Sequence, residues 1–553
     1  MIPWIGRLAA SYRALGAVFV NPGLRRLQLA WAAMSFSTWS FAIALGVYAF
    51  DVGGATAVGL VGLVRLMPGA LASPFAGVLG DRHSRRAVLI ASSLASAAAL
   101  AASAVSAGMG APGALVFILG GLFTVLSSAY VPAEGALLPV VAGTPQQLSA
   151  ANVTRSAMDN IGFLAGSVVA GVLLASTSPQ AVFAVAAAVA AAGALVLVGV
   201  PPDRRPEYAG DSELSGGVHQ MTLGFRILWS DRPLRLLGIA LTLLVFVEGA
   251  ADVFVVVVAL QLLDLAQGSV GYLNAAWGAG ALIGSAALAL LLDRGKLASG
   301  LIVGSLLTGA ALALPGAWPV VVAAYAAMLG AGIGYTFVEV AVMTLLQRMG
   351  SDEVLGRVLG FLSTARLAAM ALGAIAAPAL IALLGIRGAL IATGAVLPLF
   401  AASRWVALLQ FDAGAPVTER SYSLLRTNSI FAPLPVATLE RLCHAMESVE
   451  AGPGDEIVRQ GERGERFYLI DRGQVEIYRD GVRRNVQGEG GCFGEIALLR
   501  DVPRTATVRA TCQTRMMTLE RERFIAAVTG HVRSHEAADA VVAARLPARP
   551  PPE

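Results

Sequence analysis

From about residue 27 to residue 409 the chain is a succession of apolar runs, each some twenty residues long. Short turn-forming stretches break them: DVGG at 51, GMGAPG at 108, STSP at 176 and PGAWP at 315. A helix that crosses about 30 Å of hydrocarbon needs about 20 mostly apolar residues. The pattern therefore predicts twelve membrane-spanning helices in two sets of six. The first set is 27–50, 55–79, 86–107, 113–140, 157–177 and 179–200. A polar stretch follows, and then 234–260, 269–292, 298–314, 319–346, 356–384 and 387–409. Beyond 411 the period changes. SLLRTNSIFAPLPVATLERLCHAMESVEA alternates as helices do, and DEIVRQGERGERFYLIDRGQVEIYRDGVRRNVQGEG holds short strand-like runs between glycines. ERERFIAAVTGHV is helical again. Helices, a small antiparallel roll and a closing helix make an α+β domain.

The expected fold is thus an α-helical membrane protein of two six-helix bundles joined to an α+β soluble domain. Its expected segments are an N-terminal stretch 1–26, a first bundle 27–200, a central linker 201–233 and a second bundle 234–409. A linker 410–421, the soluble domain 422–545 and a tail 546–553 follow. Composition agrees: 56% of the 553 residues are hydrophobic and 14% charged, against about 25% charged in soluble domains. The net charge of +4 reflects loop arginines, so nucleic acid is not an expected partner. Trp4, Ile5, Leu8 and Tyr12 would lie on one face of an amphipathic surface helix. Cys443, Cys492 and Cys512 have neither CxxC nor metal spacing, and are expected to be reduced thiols with no metal.

Arginines set the orientation. The loops after spans 2, 4, 6, 8 and 10 carry them (DRHSRR at 81, Arg155, Arg204, Arg205, Arg226, Arg232, DRGK at 293, Arg348, Arg357). The other loops hold only Arg387. The positive-inside rule then puts both termini in the cytoplasm, in a multi-pass inner (plasma) membrane protein.

The halves also echo each other: GALASPFAGVLGDR at 69–82 matches GALIGSAALALLLDR at 280–294, and Glu134 matches Glu339. Repeated bundles of this kind are a secondary-transporter layout. Charges inside the spans are the functional candidates, since each is costly in hydrocarbon. Glu248 and Asp252 are four apart on one helix face. Two carboxylates that close favour a shared proton, as proton coupling requires. Arg65 and Arg366 could be their counter-ions or take an anionic substrate. Glu134, Glu339 and Asp159 are expected in a cytoplasmic latch. Trp31, Trp39, Tyr48, Trp277 and Tyr335 could line a cavity.

GVLGDRHSRRAVL at 77–89 resembles the loop 2–3 signature of the major facilitator superfamily, G-x-L-x-D-R-x-x-R-R. Gly77 would allow two helices to approach, and Asp81 would cap a helix and pair with Arg85 or Arg86. With Arg82, these residues complete the latch that the resemblance implies. Gly162, Gly166 and Gly171 resemble motif C of the family's antiporters, without its GP dipeptide. RLMPGALASPFAGVLGDR, VPAEGALLP and LSAANVTRSAMDNIG resemble the drug- and siderophore-exporter branch. The resemblance covers about residues 25–405. It implies an exporter of a small molecule, coupled to protons, and no enzyme.

FGEIALLRDVPRTATV at 493–508 poses a different chemistry. Gly490, Gly491 and Gly494 permit close backbone approach. A short helix from Gly494 would aim free N–H groups at an anion, and Arg504 adds a planar donor fork. A carboxylate repels phosphate, so Glu495 beside it suits a ribose hydroxyl. The stretch resembles the phosphate-binding cassette of cyclic nucleotide-binding domains, F-G-E-[LI]-A-L…P-R-[AST]-A-[ST]-V, without a gap. That resemblance implies Glu495 on the ribose, Arg504 on the cyclic phosphate, and backbone contacts from Gly494, Ile496 and Ala497, with Phe493 in the same site. Thr505 could reach a syn purine. The regulatory ligand is expected to be cyclic AMP, with cyclic GMP as the alternative. No helix-turn-helix follows, and no TVGYG-like filter marks a channel.

The expected protein is a twelve-span transporter, with a cytosolic cyclic nucleotide sensor that shifts its conformational population. A membrane receptor that binds nucleotide without transport is the alternative, and nucleotide as cargo is a third reading. The expected partners are the nucleotide, a small-molecule substrate, protons and lipid. A homodimer through the sensor is also open.

Overall fold

The computed structural model describes residues 18–82, 84–142, 145–201, 214–292, 297–349, 352–411, 419–434, 436–529 and 532–545. The chain separates into two compact units, Met1–Thr344 with Asp352–Phe411 and Leu345–Ser351 with Asp412–Glu553.

The regular elements of the membrane unit are all helices among its described residues. Its elements are α1 (Pro22–Arg82), α2 (Arg85–Gly108), α3 (Gly113–Ser128), α4 (Tyr130–Val141), α5 (Pro145–Ser176) and α6 (Pro179–Val198). After α7 (Leu214–Ser230) come α8 (Arg232–Val257), α9 (Gly268–Leu292), α10 (Leu297–Ala317), α11 (Val321–Met349), α12 (Asp352–Ser403) and the short α13 (Trp405–Leu409). Nine stretches among the described residues are long and apolar enough to cross a membrane. Two of these, Pro22–Leu71 and Val358–Ser403, have 50 and 46 residues, about 70 Å of helix each and enough for two crossings. α1 bends at Gly53–Gly54 and α12 at Gly385, where the backbone leaves helical geometry. The expected break at DVGG falls at the Gly53–Gly54 kink, where two helices join end to end. The polar linker is not all loop, because α7 occupies most of its second half.

The halves meet through backbone contacts that a side chain would obstruct. A Cβ on Gly171 of α5 would lie 3.0 Å from the Gly268 carbonyl oxygen, and one on Gly271 of α9 only 2.4 Å from the Gly171 nitrogen. A Cβ on Gly59 of α1 would lie 2.6 Å from the Ala374 carbonyl oxygen of α12. At the same end Gln267 Nε2 donates to both Asp51 carboxylate oxygens, at 3.1 and 2.9 Å.

Past Phe411, the described part of the second unit begins with α14 (Glu419–Thr427) and α15 (Val436–Ala445). Eight strands follow: β1 (Glu447–Ala451), β2 (Glu456–Val458), β3 (Arg466–Arg472), β4 (Val475–Arg479), β5 (Val482–Gln487), β6 (Cys492–Phe493), β7 (Thr507–Ala510) and β8 (Thr514–Glu520). A short α16 (Glu495–Leu499) lies between β6 and β7, and α17 (Arg521–Thr529) and α18 (Val532–Arg545) come after β8. The strands form two four-stranded antiparallel sheets, ordered β1-β8-β3-β6 and β2-β7-β4-β5. The alternation of strand residues puts Val458, Ile470, Val475, Phe493 and Met516 in one core. The helices close the other face, where Phe431, Phe467 and Phe524 pack ring to ring. The expected single closing helix is in fact two.

Candidate functional site

In the soluble unit the cassette is built from the turn upward. β6 ends at Phe493, whose ring stacks on Tyr468 of β3 at 4.8 Å. Gly494 then takes φ +93°, a conformation that L side chains rarely adopt, and α16 starts at Glu495. The first N–H groups of a helix have no intrahelical acceptor. The Arg504 side chain crosses back to this turn. It donates to the Gly494 carbonyl at 3.1 Å and to the Arg466 carbonyl at 2.7 Å, with its guanidinium 5.8 Å from the Tyr468 ring centre. Burial pulls its pKa below the ordinary arginine value.

Glu495 is 1% exposed. Its Oε1 accepts from Arg545 Nη1 at 2.7 Å, while its Oε2 has no hydrogen-bond partner. A buried, unsatisfied carboxylate oxygen is costly, so this atom is an acceptor awaiting a donor. Both side chains line a cavity of about 620 Å³ together with Phe493, Ile496, Ala497 and Thr505. That volume lies within the range of small-ligand sites. All seven residues expected to bind nucleotide thus line one cavity.

Arg545, at the end of α18, was not legible as a site residue. It also donates to the Cys492 carbonyl at 2.7 Å. Burial pulls its guanidinium down, but Glu495 and Cys492 hold it above the ordinary arginine value. It lies fifty positions from Glu495 in the chain, and no local pattern joins the two. Cys443, Cys492 and Cys512 form no disulfide among the described residues, and burial raises the Cys492 pKa.

In the membrane unit, Glu248 and Asp252 of α8 face a cavity with Trp39, Trp277 and Tyr335. Arg65 of α1 lies 4.0 Å from Asp252 and is its counter-ion. Arg366 of α12 pairs instead with Glu339 of α11, at 2.8 Å, and donates to the Tyr335 hydroxyl at 3.2 Å. Glu339 therefore belongs to the group around Tyr335, whereas Glu134 lies elsewhere, 3.0 Å from Arg155. The Arg155 guanidinium sits 4.1 Å over Trp31. Asp159 accepts from the Ser35 hydroxyl at 2.8 Å. Tyr48 packs against Phe117 and Phe183. Arg86 donates to the Val198 carbonyl, and Arg85 opens α2. The side chains of Asp81 and Arg82, the surroundings of Gly77, and Trp4, Ile5, Leu8 and Tyr12 lie outside the described residues.

The Major Facilitator Superfamily model matches residues 29–374, and the model for the cyclic nucleotide-binding domain matches residues 448–531. Among curated proteins, the cAMP-dependent protein kinase regulatory subunit of Yarrowia lipolytica is 34% identical over 113 residues, 20% of this chain and 30% of that protein. Its counterpart in Debaryomyces hansenii is 38% identical over 102 residues, 18% and 23% of the two chains. The match thus spans less than a third of these relatives' length. Of solved structures, the regulatory domain of Toxoplasma gondii PKA with cAMP is 31% identical at a TM-score of 0.19, covering 20% of this chain and 43% of that one. The sensor domain of the transcriptional regulator DNR from Pseudomonas aeruginosa is 26% identical at a TM-score of 0.22, covering 23% and 94%. The chain belongs to the major facilitator superfamily and carries, after its membrane unit, a cyclic nucleotide-binding domain.

Proposed function

We propose that the chain is a twelve-span, proton-coupled exporter of a small molecule, whose flux is set by a cyclic nucleotide bound in the soluble unit. The carrying observation is the unpartnered Glu495 Oε2 in the same cavity as Arg504. A carboxylate acceptor and a cationic fork about one small molecule suit a ribose hydroxyl and a phosphate diester. Cyclic AMP is the favoured nucleotide, in keeping with the names of the kinase subunits that the chain matches. In the membrane unit, Glu248 and Asp252 are the proton-carrying pair, and the basic even-numbered loops support a cytoplasmic position for both termini. Neither family is an enzymatic one. The latch of Gly77, Asp81, Arg82, Arg85 and Arg86 closes the cytoplasmic side in this reading.

The test is calorimetric titration of the detergent-solubilised chain with cyclic AMP and cyclic GMP. Binding should weaken by about 10- to 150-fold in Arg504→Ala, the loss of about 1.5–3 kcal/mol in hydrogen bonds to a charged group. An unaltered affinity in that variant would remove the cassette as the nucleotide site. Proton flux in reconstituted liposomes tests the rest: Glu248→Gln/Asp252→Asn should abolish it and leave nucleotide binding intact.

A further inference from the structure

The substrate's charge can be read from the membrane cavity, given the transporter reading above. Trp39 of α1, Phe163 of α5, Trp277 of α9 and Tyr335 of α11 form one continuous aromatic wall. Successive ring centres are 4.7, 5.3 and 5.3 Å apart. The wall crosses from the first half of the unit to the second and lines one chamber, which adjoins another through Trp39, Asp252 and Asn274. Their volumes are about 50 and 60 Å³, room for a compact polar head with the rest of a molecule lying along the rings.

Around this wall stand three carboxylates, Glu248, Asp252 and Glu339, and two guanidiniums, Arg65 and Arg366. The pairing is uneven. Arg366 is taken by Glu339 at 2.8 Å, with the Tyr335 hydroxyl on its other nitrogen. Arg65 faces Asp252 at 4.0 Å. Glu248 has no salt bridge within 4 Å among the described residues; the Tyr335 hydroxyl is its hydrogen-bonding neighbour, and Asp252, Arg366 and Glu339 are its charged ones. An anionic substrate would have to strip an arginine from a carboxylate already beside it, and would leave that carboxylate unpaired in an apolar cavity. A cation needs no such exchange. It brings a third positive charge to three carboxylates that share two guanidiniums, and ring faces attract it as well.

We infer that the membrane unit takes aromatic organic cations, with an ammonium or guanidinium head between Glu248 and Asp252 and the ring against the Trp39–Tyr335 wall. This narrows the two roles left open for the arginines. Both serve as counter-ions within the protein, and neither is the receptor for an anion.

Three probes of one shape test the class on the full chain in detergent micelles: benzyltrimethylammonium, its uncharged carbon isostere neopentylbenzene, and benzylphosphonate. Trp39 and Trp277 report binding by fluorescence. The ammonium should bind at least tenfold more tightly than the isostere, and the phosphonate should not compete. Glu248→Gln should weaken the ammonium at least tenfold and leave the isostere unchanged, while Trp277→Leu weakens both. Should Glu248→Gln fail to fold, the three-probe comparison on the unaltered chain decides alone. Equal binding of ammonium and isostere would overturn the inference. So would a preference for benzylphosphonate that Arg366→Gln abolishes, or no binding of any probe by a chain that still binds cyclic nucleotide. Failure of the transporter reading looks different: the ammonium binds, but a pH gradient does not move it into liposomes.

Discussion

Single residues in the soluble unit are held by constraints that can be broken one at a time. Gly494 is the sharpest case. Its φ of +93° costs an L residue about 1–2 kcal/mol, and a Cβ there would stand 2.6 Å from Arg504 Nη1 and 2.9 Å from the Arg466 carbonyl oxygen. Gly494→Ala should thus displace the Arg504 guanidinium and weaken nucleotide binding about tenfold or more, with a smaller loss of stability, measurable by calorimetry and a thermal melt of the same sample. Asp471 is a second case. Its side chain is 5% exposed and lies between Arg420 and Arg515, with Arg515 Nε donating at 2.6 Å. Burial would push the carboxyl up, but the two guanidiniums hold it below the usual aspartate value of 3.8. A depressed folded-state pKa stabilises fully above the unfolded value, and the contribution fades as pH falls through the folded one. The stabilisation should therefore be constant from neutrality down to about pH 4 and disappear below it. Asp471→Asn should cost about 1 kcal/mol at pH 7, since both arginines stay partly in solvent, and flatten that acid limb, seen as faster amide exchange in β3.

At the level of elements, the glycine contacts of α5 with α9 and of α1 with α12 join the halves at the end that carries Asp51 and Gln267. In the proposed orientation this is the outer face, so its closure belongs to one state of an alternating cycle. Cysteines at Asp51 and Gln267 should then cross-link readily. Gly171→Leu should suppress the cross-link, because the larger side chain meets backbone and the Tyr272 ring. A cross-link unaffected by Gly171→Leu would mean that these glycines do not set the closure. The element scale also shows what sequence can carry. The apolar runs and glycine-bounded strands are local patterns, and helices and strands arise where they predict them. The cassette was legible because Gly494, Glu495 and Arg504 fall within one stretch of eleven residues. What could not be read was pairing across distance. Arg366 could be read as a counter-ion of Glu248 and Asp252 or as an anion receptor, but not as the hydrogen-bonded partner of Glu339 that it is, and Arg545 reaches Glu495 from another helix. The helix α7 within the polar linker was missed because its eight apolar residues are interrupted by glycines and polar residues and make no membrane-spanning run.

At the scale of the whole molecule, regulation is a coupling between two binding equilibria, and it must act both ways. If cyclic nucleotide favours the transporter conformation that binds cation more tightly by some factor, the cation must tighten nucleotide binding by that same factor. Typical couplings are about 1–3 kcal/mol, or about 5- to 150-fold. The reciprocity can be checked without measuring transport. The dissociation constant of cyclic AMP is taken with and without saturating benzyltrimethylammonium, and that of benzyltrimethylammonium with and without saturating cyclic AMP. The two ratios should agree and differ from one. Glu248→Gln should bring the first ratio to one while leaving cyclic AMP affinity in the absence of cation unchanged, since Glu248 touches only the membrane cavity. Arg504→Ala should abolish the second ratio in the same way. Ratios of one in the unaltered chain, with both ligands bound, would mean that the nucleotide domain does not bias this binding step and that regulation, if present, acts on a rate alone.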